Sequence, residues 1–158
     1  MEKASCWSVL VIKGGKAFIF LGKSGDGKST IADLSRRYNV IGDDVVAVRK
    51  LGGSFKAFST PWRQRKSIRV VKSARARVSA VFFLNKSNRI HFSPLKKEEA
   101  LSRILNWHIH FLIYTKRPVI DNIFSTAAEF VKAIPAYDME FSKRSDFWKA
   151  LEEEIDAR

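Results

Sequence analysis

The segment Gly22-Lys23-Ser24-Gly25-Asp26-Gly27-Lys28-Ser29-Thr30 constrains this chain more than any other. From Gly22 to Ser29 it satisfies G-x-x-x-x-G-K-[ST] at every required position, the Walker A pattern. The apolar run Ala17 to Leu21 precedes it, and a helix is expected after it, from Lys28 to Arg37, with Ile31 and Leu34 facing inward. Strand, glycine loop and helix in that order form a phosphate cradle. Glycines let the backbone fold around a phosphate with its N–H groups pointing inward, and the start of the helix adds positive potential. The reading is that residues Gly22 to Thr30 bind ATP. Lys28 carries a mobile positive charge to the β- and γ-phosphates, and the Ser29 hydroxyl ligates Mg2+.

The rest of the chain reads as alternating short strands and helices. Val9 to Ile12 and Ala17 to Leu21 flank Gly14-Gly15, a hairpin turn. Asn39 to Ile41 is a short strand ending at Gly42-Asp43-Asp44. Val45 to Val48 continues as strand, Gly52-Gly53 turns, and Ser54 to Phe58 returns. A strand is possible at Ser67 to Val71. Val78 to Leu84 is the strongest strand, apolar enough to be buried on both faces, and Arg89 to Phe92 is expected to pair back on it. Ser93-Pro94 opens a long helix with Leu101, Ile104, Leu105, His108 and Leu112 on one stripe, ended by Lys116-Arg117-Pro118. Asp121 caps a second helix to Ala133. Tyr137 to Phe141 alternates like an edge strand, and Ser145-Asp146 caps a last helix from Phe147 to Asp156.

Walker-type chemistry needs an acid near the loop, and Asp43-Asp44 end the strand that follows the loop's helix. Successive strand residues point to opposite sides, so one carboxylate can face a metal and the other a substrate. Gly42-Asp43-Asp44 is also good turn chemistry, which leaves a solvated turn open. The next acid in sequence is Glu98.

Taken together, the loop, Gly42-Asp43-Asp44-Val45, Phe58-Ser59-Thr60-Pro61-Trp62 and the apolar Val81-Phe82-Phe83-Leu84 resemble HPr kinase/phosphorylase-like proteins, of the wider phosphoenolpyruvate carboxykinase-like P-loop group. The resemblance implies an α/β P-loop nucleotide-binding domain with a mixed central sheet, a single domain over 1–158. It implies a kinase using ATP and Mg2+ to phosphorylate a hydroxyl, often a serine, of a peptide, protein or small molecule. By the family pattern Asp43 would be the general base and Asp44 a metal ligand beside Ser29. The chain departs from that pattern: no histidine lies ahead of the loop, and residues 45–97 hold no glutamate. HPr itself is therefore not the expected acceptor. A non-catalytic ATP-binding regulatory module that binds a polyanion or nucleic acid stays open as the alternative.

Charge is concentrated in one stretch. The formal net charge of +13 arises from residues 45–97, which carry 14 basic and no acidic side chains. Arg63 and Arg65, beside Thr60-Pro61-Trp62, are candidates for stabilising charge on a transferred phosphoryl group or for contacting an acidic acceptor. Nucleic-acid binding by clustered cations near Trp62 and a merely solvated face are the other two readings of this stretch.

Composition narrows the class. With 46% hydrophobic and 28% charged residues the chain is globular rather than disordered. The one cysteine, Cys6, excludes an intrachain disulfide and reads as a small core residue. No apolar run approaches the roughly 18 residues of a membrane span, and no signal-peptide pattern is present, so a cytoplasmic protein is expected. His91, His108 and His110 form no metal pattern. Trp107 and Phe111 beside them suggest a helix buried on more than one face, as in a homo-oligomer.

Overall fold

A computed structural model describes residues 7–42, 46–59, 74–112, 116–143 and 146–156. The strands are β1 (Trp7–Lys13), β2 (Lys16–Gly22), β3 (Asn39–Gly42), β4 (Ala47–Leu51), β5 (Ser54–Phe58), β6 (Arg75–Lys86), β7 (His91–Pro94) and β8 (Ala136–Phe141). The helices are α1 (Lys28–Leu34), α2 (Lys97–Leu112), α3 (Arg117–Ala133) and α4 (Phe147–Asp156). All eight strands belong to one sheet, in the order β3-β1-β2-β6-β5-β4, with β8 pairing β6 and β7 paired to β8.

The sheet is mixed, as expected for this α/β chain. β2 and β8 run parallel to β6, and the remaining pairs are antiparallel. The length of β6 organises it. Arg75 to Arg77 pair with β5, whereas Val81 to Lys86 pair with β8. The C-terminal ends of β2, β6 and β8 therefore meet at one edge, where the glycine loop leaves the sheet.

Alternation along the strands makes two cores. Val9, Val11, Phe18, Phe20, Phe82, Met139 and Phe141 pack with Ile31 of α1 and with Phe147, Trp148 and Leu151 of α4. Leu10, Ile19, Phe55, Val81, Phe83 and Ala136 pack on the other side with Ala100 of α2 and Val131 of α3. The first core is aromatic: Phe20 stacks on Phe82 at 5.1 Å, and Phe82 on Tyr137 at 5.4 Å. Edge-to-face contacts of Trp148 with Phe18 and Phe20 tie α4 to the sheet.

Several elements differ from the sequence expectation. α1 stops at Leu34 rather than Arg37: past Ser35 the backbone tightens into turns, with the Arg36 N–H on the Asp33 carbonyl at 3.4 Å and the Tyr38 N–H on the Ser35 carbonyl at 2.8 Å, and the buried Ser35 hydroxyl accepts the Trp148 indole N–H at 3.0 Å. β7 pairs with β8 and not with β6, and β8 is an interior strand rather than an edge. Pro94 lies in β7, and α2 starts only at Lys97. Pro118 opens α3 instead of ending α2: it sits in the first turn, with Lys116 as N-cap, where its missing N–H costs nothing. Asp121 is accordingly an exposed residue inside α3, not a cap. β4 runs from Ala47 to Leu51, later than expected. The readings of Cys6, of the strand at Ser67 to Val71, of Trp62, of the Ser145 cap and of the His108, His110, Trp107 and Phe111 side chains lie outside the described residues.

Candidate functional site

The glycine loop is closed by its own ends. The Lys23 N–H donates to the Asp26 carboxylate, and the Asp26 N–H donates back to the Lys23 carbonyl at 3.2 Å. Gly22 is buried at the end of β2, and a Cβ there would come within 2.9 Å of the Asp26 Cβ and 3.5 Å of the Leu84 Cβ. Any side chain at Gly22 would push the loop away from the strand. Gly25 and Gly27 have φ of +93° and +99°, a backbone conformation that side chains resist. At Gly27 a Cβ would also lie 2.5 Å from the Cζ of Phe141, the last residue of β8. The loop thus rests on a buried aromatic ring supplied from over a hundred residues away in sequence.

Lys28 is the first residue of α1, and its side chain turns back over the loop. The ammonium donates to the Gly22 carbonyl at 2.8 Å and to the Lys23 carbonyl. Ser29 follows, exposed, and Thr30 is half-buried. Lys23, Ser24 and Gly25 are exposed, while Asp26, Gly27 and Lys28 are half-buried. The loop therefore offers a flexible cation, exposed hydroxyls and positive-φ backbone in one concentrated place.

β3 ends at Gly42 and runs in the same direction as β2, since both are antiparallel to β1. Gly42 pairs with Leu10, which pairs with Ile19, just short of the end of β2. At Gly42 the chain is therefore heading toward the loop edge of the sheet. Asp43 and Asp44 come next in sequence but lie outside the described residues, as do Arg63 and Arg65. Among the described residues no group of three or more His, Cys, Asp or Glu side chains could hold a metal.

Phe141 is the residue that sequence reasoning missed here. Its only signal is the alternation of β8, which marks it as inward-facing but not as the floor of the loop. Two ion-pair clusters on the opposite sheet face lock β8 in place. Arg103 of α2 donates to both Asp138 oxygens, at 2.6 and 3.1 Å, and to Glu99 at 2.6 Å, while Asn85 donates to Asp138 at 3.1 Å. The hydrogen bond to Asp138 holds the Arg103 guanidinium above its ordinary pKa. Arg89 donates to Glu140 at 2.6 and 3.2 Å, and the Ser87 hydroxyl adds a bond at 3.2 Å. The Arg89 hydrogen bond keeps the Glu140 carboxyl below the usual range.

Comparison with curated proteins gives no match. Among solved structures the chain is similar to the Hpr(Ser) kinase/phosphatase from Coxiella burnetii. That similarity has a TM-score of 0.47 and 9% identity, and it covers 86% of this chain and 83% of that one. No helix among the described residues is long and apolar enough to cross a membrane. Residues 5–156 match the family described as SynChlorMet cassette protein ScmC, and the chain belongs to that family.

Proposed function

We propose that the chain is an ATP- and Mg2+-dependent kinase that phosphorylates a hydroxyl, on a serine in the first instance, of a peptide, protein or small molecule. One observation carries the reading: a complete Walker A sequence stands between β2 and α1, its glycines where side chains do not fit, its lysine turned over the loop. These residues fit a polyphosphate. The positive-φ positions Gly25 and Gly27 place no side chain of their own over the loop, and the Lys28 ammonium already lies over it, donating to the Gly22 and Lys23 carbonyls.

ATP with Mg2+ supplies the phosphoryl group and the cation that offsets its charge. The chain's own residues do the rest. Lys28 brings its charge to the β- and γ-phosphates, the Ser29 hydroxyl and the Asp44 carboxylate hold the metal, and Asp43 takes the proton from the acceptor hydroxyl. Arg63 and Arg65 meet the charge that develops on the transferred group. Phe141 keeps the loop from sinking into the core.

The test is phosphoryl transfer from ATP to a panel of serine-bearing peptides, read by mass spectrometry, in the wild type and in Asp43→Asn. Transfer that requires Asp43 supports the reading. Transfer unchanged in the variant contradicts the base assignment.

A further inference from the structure

Register across the sheet aligns five cations in a single row. Arg49 of β4 pairs with Lys56 of β5, Lys56 with Arg77 of β6, Arg77 with Lys16 of β2, and Lys16 with Lys13 of β1. Residues directly opposite each other share a face of the sheet, and like charges so placed are destabilising. Their chain neighbours Ala17, Val78, Phe55, Ala57 and Val48 pack against the α2/α3 side. The row therefore lies on the opposite face, the one that α1 and α4 cover only in part.

The two ends of the row are treated differently. Lys13 lies under α4: it forms an ion pair with Glu152 and sits 4.9 Å from the Tyr38 ring and 5.3 Å from that of Trp148. Beyond α4, Lys16, Arg77, Lys56 and Arg49 make no ion pair among the described residues. Lys16, Arg77 and Arg49 are exposed, and Lys56 is half-exposed. Arg75, opposite Phe58, adds an exposed cation one position along the same face. At about 4.8 Å between strands, the four cations span roughly 14 Å. Among the described residues one cation of the row has a carboxylate and four lie side by side without one, an arrangement that an anion arriving from outside would stabilise.

We propose that this open face of β4, β5 and β6 docks an acidic polypeptide segment. Charge complementarity requires an anion with several charges. Two features favour polypeptide over nucleic acid. Phe58, half-buried, is the one aromatic that β4, β5 and the Arg75–Arg77 stretch of β6 place on this face, whereas single strands bind where cations alternate with aromatic platforms. β4 ends the sheet, pairing with β5 on one side only among the described residues, so an extended peptide can hydrogen-bond its edge while its acids reach Arg49 and Lys56. The surface stands apart from the phosphoryl-transfer reading and does not depend on it.

The experiment uses the full chain and a fluorescent peptide of about ten residues with glutamate at every second position, which puts the acids on one side of an extended strand. An oligodeoxythymidylate of equal net charge is the comparator. Wild type is set against Lys16→Ser/Arg49→Ser/Lys56→Ser/Arg77→Ser. A control, Lys96→Ser/Lys97→Ser/Lys116→Ser/Arg117→Ser, removes the same charge from exposed positions elsewhere. Should the fourfold row variant fail to fold, Arg77→Ser alone removes the cation flanked by two others. The peptide is expected to bind wild type and control within about twofold of each other, to weaken about tenfold or more in the row variant, and to weaken with salt. No peptide binding, equal binding by the row variant, or tighter binding of the oligonucleotide overturns the proposal. ATP binding, measured in parallel, stays unchanged in the row variant, so failure here and failure of the kinase reading are separable.

Discussion

The buried ring of Phe141 lies directly beneath Gly27, so close that a Cβ on the glycine would sit 2.5 Å from the ring's Cζ. Gly27→Ala therefore has two penalties, the positive φ and the clash with a core side chain. The expected loss is about 1–3 kcal/mol of stability, with nucleotide binding lost as the loop lifts. Phe141→Leu in the same chain gives the methyl room and should restore part of the binding. Denaturant unfolding and ATP titration of both variants check this. Binding equal to wild type in Gly27→Ala alone would contradict the close contact.

Ser35 and Trp148 join the end of α1 to α4 through a bond that has no water to replace it. Both residues are buried, and the indole N–H donates to the hydroxyl at 3.0 Å. Ser35→Ala leaves that N–H unpaired, at a cost of about 1–3 kcal/mol. Urea denaturation measures it, and a loss below about 0.5 kcal/mol would show that the bond does not hold α4.

The Arg89–Glu140 pair gives a pH signature. The folded state lowers the Glu140 pKa, so its stabilisation is fully present above the unfolded value of about 4.3. It disappears as pH falls through the lower folded value. Arg89→Met should be less stable than wild type at neutral pH, and the gap should close in acid below both values. The guanidinium is largely exposed and the carboxylate partly so, and the effect is small. A gap independent of pH would mean that Arg89 acts by packing alone.

The parts of this fold that were legible in the sequence are those set by neighbours along the chain. Gly14-Gly15 announces the β1–β2 hairpin, and Phe147-Trp148 begins α4 where expected. Pairings between distant segments were not legible. The alternation of β8 marks which side chains point inward, but Asp138 and Glu140 on its other face look solvent-facing until Arg103 and Arg89 arrive to pair them. That is why an interior strand reads as an edge. Pro118 misleads for a local reason: the same ring that stops one helix is tolerated in the first turn of the next. In the candidate site, the glycine positions and Lys28 were readable from spacing alone. The support under the loop was not, because Phe141 comes from the far end of the chain. The cationic row was hidden too, since register between five strands decides it.

On the proposed kinase reading, Asp43 and Lys28 separate chemistry from binding. Asp43→Asn should keep ATP affinity within about threefold and lower transfer by about 100-fold or more, the scale of a lost general base. Single-turnover transfer beside ATP titration measures both. A parallel loss of binding would place Asp43 at the nucleotide rather than at the acceptor.

Calorimetric titration of the full chain with ATP in the presence of Mg2+, wild type beside Lys28→Ala, tests the central claim most directly. The loop geometry predicts saturable one-site binding in the wild type and weakening of at least about tenfold in the variant, with unfolding curves that stay close. A wild type that does not bind, or a variant that binds as well, would contradict the assignment of Gly22 to Thr30 as a nucleotide site.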